Sequence, residues 1–186
     1  MLAAGGGRRA GGPKALRRDA AGRPWLVNAV DVLLAGGCAE VVVVLGSAGE
    51  RAQALLADHP RWGAGVRTVQ NPAWTEGMST SLRVGLEAVG PSATAVLVHL
   101  VDLPDVTAEV TRRLLALATG PACLARAVYG GAPGHPVLIG RDHLAPLRAS
   151  LAGDRGAQGY LGGRRVVAVE CGDLAGGGDV DGPVGG

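Results

Sequence analysis

Val41 to Leu45 reads VVVVL, and Gly46 ends it. A short, unbroken β-branched run stopped by glycine is the pattern of a strand buried on both faces, at the centre of a parallel sheet. Working outward, apolar runs and helix-like stretches alternate. Pro24 to Leu34 places Trp25, Leu26, Val30, Leu33 and Leu34 at helical spacing, and Gly36-Gly37 stop it. Downstream the patterning predicts a helix over 49–58, a strand over 66–69, a helix over about 78–89 and a strand over 95–101. A helix over 107–117, a strand over 123–129, a helix over 141–151 and a strand over 166–169 complete the series. Repeated βα units of this kind predict an α/β fold, a mostly parallel sheet covered by helices on both faces. The 186 residues suit one domain, and no internal repeat or linker interrupts them.

Composition narrows the class. Apolar residues make up 47%, yet there is no Phe, with three Trp and two Tyr, so the core is built from Val, Leu and Ala. The formal net charge of +2 is far from the basic stripe of a nucleic-acid binder. Local charge differs: Arg8, Arg9, Lys14, Arg17, Arg18 and Arg23 crowd the N-terminal region against Asp19 alone, which suits a small polyanion. Cys38, Cys123 and Cys171 are odd in number and widely spaced, indicating reduced thiols rather than a zinc site or disulfide framework. No apolar run approaches the ~20 residues of a membrane span, so a cytoplasmic protein without nucleic-acid or membrane partners is expected.

The N-terminal stretch, Met1 to Lys14, reads MLAAGGGRRAGGPK. It is not a Walker A loop: Gly7 and Gly12 have the spacing, but Pro13 separates Gly12 from Lys14, and Ala15 offers no hydroxyl. A dinucleotide fingerprint fits Gly5, Gly7 and Ala10, but Gly11, Gly12 and Pro13 oppose the long helix that should follow. The remaining reading is an extended loop leaving a strand, whose backbone N–H groups converge on phosphate while Arg9 and Lys14 add charge. Only Met1 to Ala4 precede the glycines, so the first strand is expected to be truncated. The tail over 172–186, ending GGGDVDGPVGG, is expected to be flexible.

Leu2-Ala3-Ala4-Gly5, Arg9, Gly11 and Lys14 resemble the signature L-A-A-G-x-x-x-R-M-G-x-x-K of the MobA-like nucleotidyltransferases, with Ala10 where Met is usual. Asn71 to Leu86, NPAWTEGMSTSLRVGL, resembles the corresponding segment of their molybdenum cofactor cytidylyltransferase (MocA-like) branch. Gly77 frees the chain to turn there. Ser79, Thr80 and Ser81 stand at a helix start, where hydroxyls and free amides suit a base edge or phosphate, although Ser79 equally suits a helix cap. Ser79 and Arg83 would share a helix face. Val98 to Pro104, VHLVDLP, puts Asp102 at a strand's C-terminal edge and resembles the family's metal motif. His99 suits the core, and Asp105 the start of the next helix. Gly134-His135-Pro136 resembles a segment on the acceptor side, with His135 either orienting the acceptor or structural. Gly153-Asp154-Arg155-Gly156 resembles a turn in which Asp154 caps the following helix. Asp179-Val180-Asp181-Gly182-Pro183 resembles D-I-D-T-P, returning a second carboxylate to the metal from either Asp179 or Asp181.

The resemblance implies a Rossmann-like three-layer α/β/α nucleotidyltransferase fold and a Mg²⁺-dependent enzyme moving CMP from CTP to a phosphorylated acceptor, molybdopterin or molybdenum cofactor, with release of pyrophosphate. Arg9, Lys14 and Asp102 are the implied catalytic groups. Leu2, Ala3, Ala4, Gly5, Gly7, Gly11, Ser79 and Ser81 are implied to hold the nucleotide, and Asp102 with Asp179 or Asp181 the metal. A molybdenum hydroxylase or its maturation factor is an implied partner. Guanylyl or other NTP transfer, a non-catalytic nucleotide- or cofactor-binding module, and an oxidoreductase built on Gly5, Gly7 and Ala10 are the alternatives.

Overall fold

A computed structural model describes residues 1–7 and 11–180. Among these described residues seven strands and six α-helices follow in order: β1 (Leu2–Ala3), α1 (Trp25–Ala35), β2 (Val41–Leu45), α2 (Gly49–Ala54), β3 (Val66–Gln70), α3 (Met78–Glu87), β4 (Ala95–Val98), α4 (Ala108–Leu115), β5 (Leu124–Tyr129), β6 (Ala132–Gly140), α5 (Leu144–Ser150), α6 (Gln158–Leu161) and β7 (Val167–Glu170). The alternating pattern located most of these within a few residues.

β1, β2 and β3 are parallel neighbours, with Leu2 opposite Val44 and Val41 opposite Val66. A parallel bridge from Leu2 to Leu100 carries the sheet across to the end of β4; the Leu2 amide donates to the His99 carbonyl at 2.8 Å. Beyond β4 the order is β6, β5, β7. β1 is two residues long against the five of β2, in keeping with the short first strand expected.

One strand escaped the sequence reading. β6 runs antiparallel between β4 and β5, and Pro133, Gly134 and Pro136 hide it because prolines and glycine break the strand pattern. A bulge accommodates them: Arg126 faces Val137 while Val128 faces Pro133, so the register shifts across the proline-containing stretch. The rest of β6 is a buried strand, with Leu138 and Ile139 fully covered. Ile139→Ala is expected to lower unfolding stability by about 2–5 kcal/mol, measured by denaturant titration.

Helices cover both faces, as the repeated βα pattern requires. Leu26, Val30 and Leu33 of α1 pack with Val41, Val43 and Leu45, while Val110 and Leu114 of α4 pack with Ala125, Ala127 and Leu138. On the opposite face Leu82 and Leu86 of α3, Leu147 of α5 and Tyr160 of α6 enclose Val98, Leu124, Val137 and Ile139.

Up to Val180 the tail makes contacts with the rest of the fold. Leu174 and Ala175 pack on the α4 side, the Gly176 and Gly177 amides donate to Asp105 Oδ2, and the Val180 amide donates to the Asp102 carbonyl at 3.1 Å. Asp105 therefore anchors the tail instead of starting a helix; α4 opens after Thr107, which makes no side-chain cap.

Candidate nucleotide site

Where β1 and β4 lie side by side, their C-terminal ends open into a cavity of about 660 Å³. In open α/β sheets this edge is where ligands bind. Leu2, Ala3, Ala4, Gly5, Gly6, Gly7 and Lys14 form one side, Leu100, Val101 and Asp102 another, and Trp74 to Met78 with Ser81 and Asp154 the third. The elements quoted from the sequence thus converge: the glycine-rich strand exit, the NPAWTEGMSTS segment and the VHLVDLP strand end.

The loop's shape follows from its glycines. Gly7 takes φ +56°, and a Cβ there would stand 1.9 Å from the Gly12 carbonyl oxygen. That close approach lets the Gly12 amide donate to the Gly7 carbonyl at 3.1 Å. Gly11 at φ +77° and Gly12 at φ +147° adopt backbone conformations that L side chains rarely take. A three-residue 3₁₀ turn at Lys14–Leu16 follows, and α1 begins only at Trp25. The dinucleotide fingerprint requires a helix opening beside its last small residue, so the described geometry does not match it.

Lys14 and Asp102 meet inside the cavity, Nζ donating to Oδ2 at 2.7 Å, with side-chain exposures of 16% and 18%. The pair joins the loop to the end of β4 across 88 residues of sequence. Half-buried, it keeps part of its electrostatic strength against solvent.

The third side is built on Asn71. Its side-chain amide donates to Thr80 Oγ1 and Ser81 Oγ, each at 2.9 Å, while its carbonyl oxygen accepts from the Ala73 amide. This fixes the 3₁₀ turn at Trp74–Glu76, whose indole backs the loop: a Cβ on Gly6 would lie 3.0 Å from the ring. The expectation that the first amides of α3 are available needs correcting. The Met78 amide donates to Asp154 Oδ1 and the Ser79 amide to the Gly153 carbonyl. Asp154 therefore caps α3 from a distant loop rather than capping the helix after itself. Ser79 is buried, donates to the Ala152 carbonyl and does not line the cavity, whereas Ser81 does. Arg83, on the same face of α3, donates to the carbonyls of Arg148 and Leu151.

His135 lies outside the cavity lining, its carbonyl accepting from Tyr129 Oη at 2.7 Å. Burial first, and the nearby Arg126 charge second, push the His135 imidazole down to about 4, against an opposing pull from Asp102. His99 is fully buried with Nδ1 unpartnered, and burial pushes it down to about 3. Both imidazoles are therefore neutral at pH 7. Their folded values lie below the unfolded value of about 6.5, so the unfolded chain binds more protons as pH falls. The stability tied to them is fully present above pH 6.5 and is lost toward pH 4, about 3 kcal/mol for His99 alone. Thermal melts between pH 7 and 4 should show this decline, and His99→Leu should flatten it.

Arg9 and Asp181 lie outside the described residues. Asp179 is exposed, adjoining the Val180 amide that bonds Asp102. Among the described residues no group of three or more His, Cys, Asp and Glu could hold a metal ion. Of the carboxylates lining the cavity, Glu76, Asp102 and Asp154, Asp102 is the one that pairs with the loop's Lys14. One carboxylate plus waters and substrate phosphates is a donor set that Mg²⁺ accepts, so Asp102 fits such an ion. Sequence reasoning quoted Trp74, Glu76 and Asp154 inside its motifs without assigning them to the site; Trp74 was recognisable as an aromatic next to the Gly77 turn. Among the described residues no helix is long and apolar enough to cross a membrane.

A MobA-like NTP transferase domain model matches residues 1–169. Nicotine blue oxidoreductase of Paenarthrobacter nicotinovorans is 34% identical over 191 residues, covering 97% of this chain and 90% of that protein. The crystal structure of Rv0371c from Mycobacterium tuberculosis H37Rv is 29% identical, with a TM-score of 0.75, over 97% of this chain and 90% of that one. A structure of Rv0371c in complex with manganese is 27% identical, with a TM-score of 0.71, over 91% of this chain and 84% of that one. With the family model spanning nearly the whole chain, the loop, the Lys14–Asp102 pair and the fold meet in one conclusion: this chain belongs to the MobA-like NTP transferase family.

Proposed function

We propose that this chain is a cytoplasmic nucleotidyltransferase of the MocA-like branch, moving CMP from CTP to a phosphorylated acceptor of the molybdopterin type. The single observation that carries the reading is the Lys14–Asp102 pair, a cation and a carboxylate held 2.7 Å apart beside a glycine-lined strand exit. In this reading the triphosphate lies along Gly5 to Gly7, and Lys14 exchanges its carboxylate partner for phosphate oxygens. Arg9 adds a second cation, and Ser81 offers its hydroxyl to the nucleotide. An oxygen of the acceptor phosphate attacks the α-phosphorus in line. The bond from that phosphorus to the bridging oxygen breaks, and pyrophosphate leaves with the electron pair. The acceptor is already anionic, so no general base is needed, and positioning with charge stabilisation supplies the catalysis.

Mg²⁺, when bound, would neutralise phosphate charge as a Lewis acid. Asp102 would hold it, with Asp179 or Asp181 contributing from the tail. The manganese complex of the 27%-identical Rv0371c supports a divalent site. CTP in preference to GTP rests on the resemblance of Leu2 to Gly5 and of Gly77 to Leu82 to the cytidylyl branch. Incubation with Mg²⁺, molybdopterin and each NTP tests the reading through pyrophosphate release and dinucleotide formation. CTP should be consumed; consumption of GTP with CTP ignored overturns the cytidylyl assignment.

A second reading comes from the 34%-identical nicotine blue oxidoreductase: an oxidoreductase acting on nicotine blue or a related compound. The loop geometry speaks against a nicotinamide dinucleotide at Gly5 to Gly7, because among the described residues no α-helix opens before Trp25. NADH that raises the melting temperature more than CTP with Mg²⁺ would favour it.

A further inference from the structure

Arg126 is the side chain in this molecule least explained by its protein surroundings. It is half-buried on β5, its Nε is covered and has no hydrogen-bond partner. None of the hydrogen bonds or ion pairs among the described residues involves its guanidinium. Other arginines on this face are committed: Arg83 donates to two carbonyls of the α5 segment, and Arg164 donates to the Tyr160 carbonyl and stacks on its ring. A guanidinium taken partly out of water without acceptors is unfavourable, and its planar fork suits a phosphate or carboxylate.

Register gives its position. Arg126 stands opposite Val137, and His135 lies two residues before Val137 on the same strand. Side chains alternate along a strand, so Arg126 and His135 share one face, that of α3. Val98 of β4 is also paired with Val137. The Arg126–His135 end of the sheet is therefore the end at which β4 delivers Leu100 to Asp102 into the cavity. The β-bulge begins directly after Arg126, and bulges recur beside active sites because they re-aim neighbouring side chains. The His135 imidazole senses both the Arg126 charge and the Asp102 carboxylate, in keeping with the end of the sheet that the register assigns to it.

We propose that Arg126, with His135 beside it, binds the anionic group of the acceptor, a phosphomonoester that enters from the α3 side of Asp102. This rests on the nucleotidyl-transfer reading for the identity of the second substrate, but not for the existence of an anion site. The two are separable by filling the glycine loop first. Protein saturated with Mg²⁺ and a non-hydrolysable α,β-methylene CTP is titrated with phenyl phosphate, followed by NMR of the arginine Nε–H groups and the β5 and β6 amides.

The expected result is a saturable shift of the Arg126 Nε–H and of amides near His135. For Arg126→Ala the phenyl phosphate affinity should fall about tenfold or more, with the CTP-analogue affinity unchanged. Arg126→Lys should recover part of it, and the wild-type Nε–H shift needs no variant to fold. Shifts confined to the glycine loop, or an Arg126→Ala protein that binds phenyl phosphate as tightly as wild type, overturn the proposal. Absence of pyrophosphate release with every NTP would instead count against the transfer reading, leaving this binding result to stand or fall alone.

Discussion

Asp102→Ala is expected to reduce nucleotidyl transfer by about 10³-fold or more in kcat/KM, the scale for removing a group that stabilises transition-state charge or holds its metal. The argument begins with its placement. The residues leading to Asp102 continue β4 past His99, and the Leu2 bridge and the Val180 amide clamp the backbone on both sides. The carboxylate is thus fixed against the loop cation without being sealed from solvent. Removing it breaks the ion pair with Lys14 and takes away the carboxylate oxygens beside the loop that a divalent ion would use. Asp102→Asn keeps the shape and loses the charge, so it should lie close to Ala in rate. The fold should survive both changes, because the side chain is partly exposed and bonds to Lys14 at the cavity. Pyrophosphate release under saturating CTP, set beside thermal melts of the same variants, reads out both halves. A variant retaining more than a tenth of wild-type rate contradicts the role given to Asp102.

Gly7→Ala is the second large effect expected, acting through shape rather than charge. A methyl group at Gly7 would stand 1.9 Å from the Gly12 oxygen, in a backbone conformation of φ +56°. The left-handed conformation alone costs about 1–2 kcal/mol for a residue with Cβ. The clash forces apart the Gly7–Gly12 hydrogen bond that closes the loop. The loop lies at the rim of the cavity, so the molecule should unfold only slightly more easily, while its backbone amides lose their common target. Nucleotide affinity is expected to weaken about 100-fold, in line with the loss of two charge-assisted hydrogen bonds. Gly120→Ala is the matched control: a Cβ there meets nothing within 4 Å, and both affinity and stability should stay near wild type. Calorimetric titration of CTP with Mg²⁺ into the three proteins distinguishes them.

How far these features were legible in the sequence depends on what each required. VVVVLG announced a buried parallel strand because side-chain type alone encodes burial on both faces. The glycine stretch announced its loop because glycine favours the positive φ values that Gly7, Gly11 and Gly12 adopt, and L side chains rarely take them. β6 stayed hidden because its prolines and Gly134 oppose a regular strand, and only pairing with two neighbours at once stabilises it around a bulge. The Lys14–Asp102 contact was half legible: each residue carried its own motif, but their meeting depends on the Leu2–Leu100 bridge. Ser79 and Asp154 show the opposite failure. Their types suit nucleotide binding or local capping, yet long-range packing of the 152–154 segment on α3 uses both for structure. Arg126 carried no signal at all, since an arginine in an apolar strand declares itself only when its lack of partners is seen.

The central claim is that a triphosphate lies on the glycine loop with its divalent ion at Asp102. Paramagnetic broadening of backbone amides by Mn²⁺ in the presence of CTP tests it most directly. The account predicts strongest broadening over Gly5 to Gly7 and Leu100 to Leu103, dependent on CTP and lost in Asp102→Ala. Broadening centred elsewhere, or unchanged by CTP and by the substitution, would contradict it.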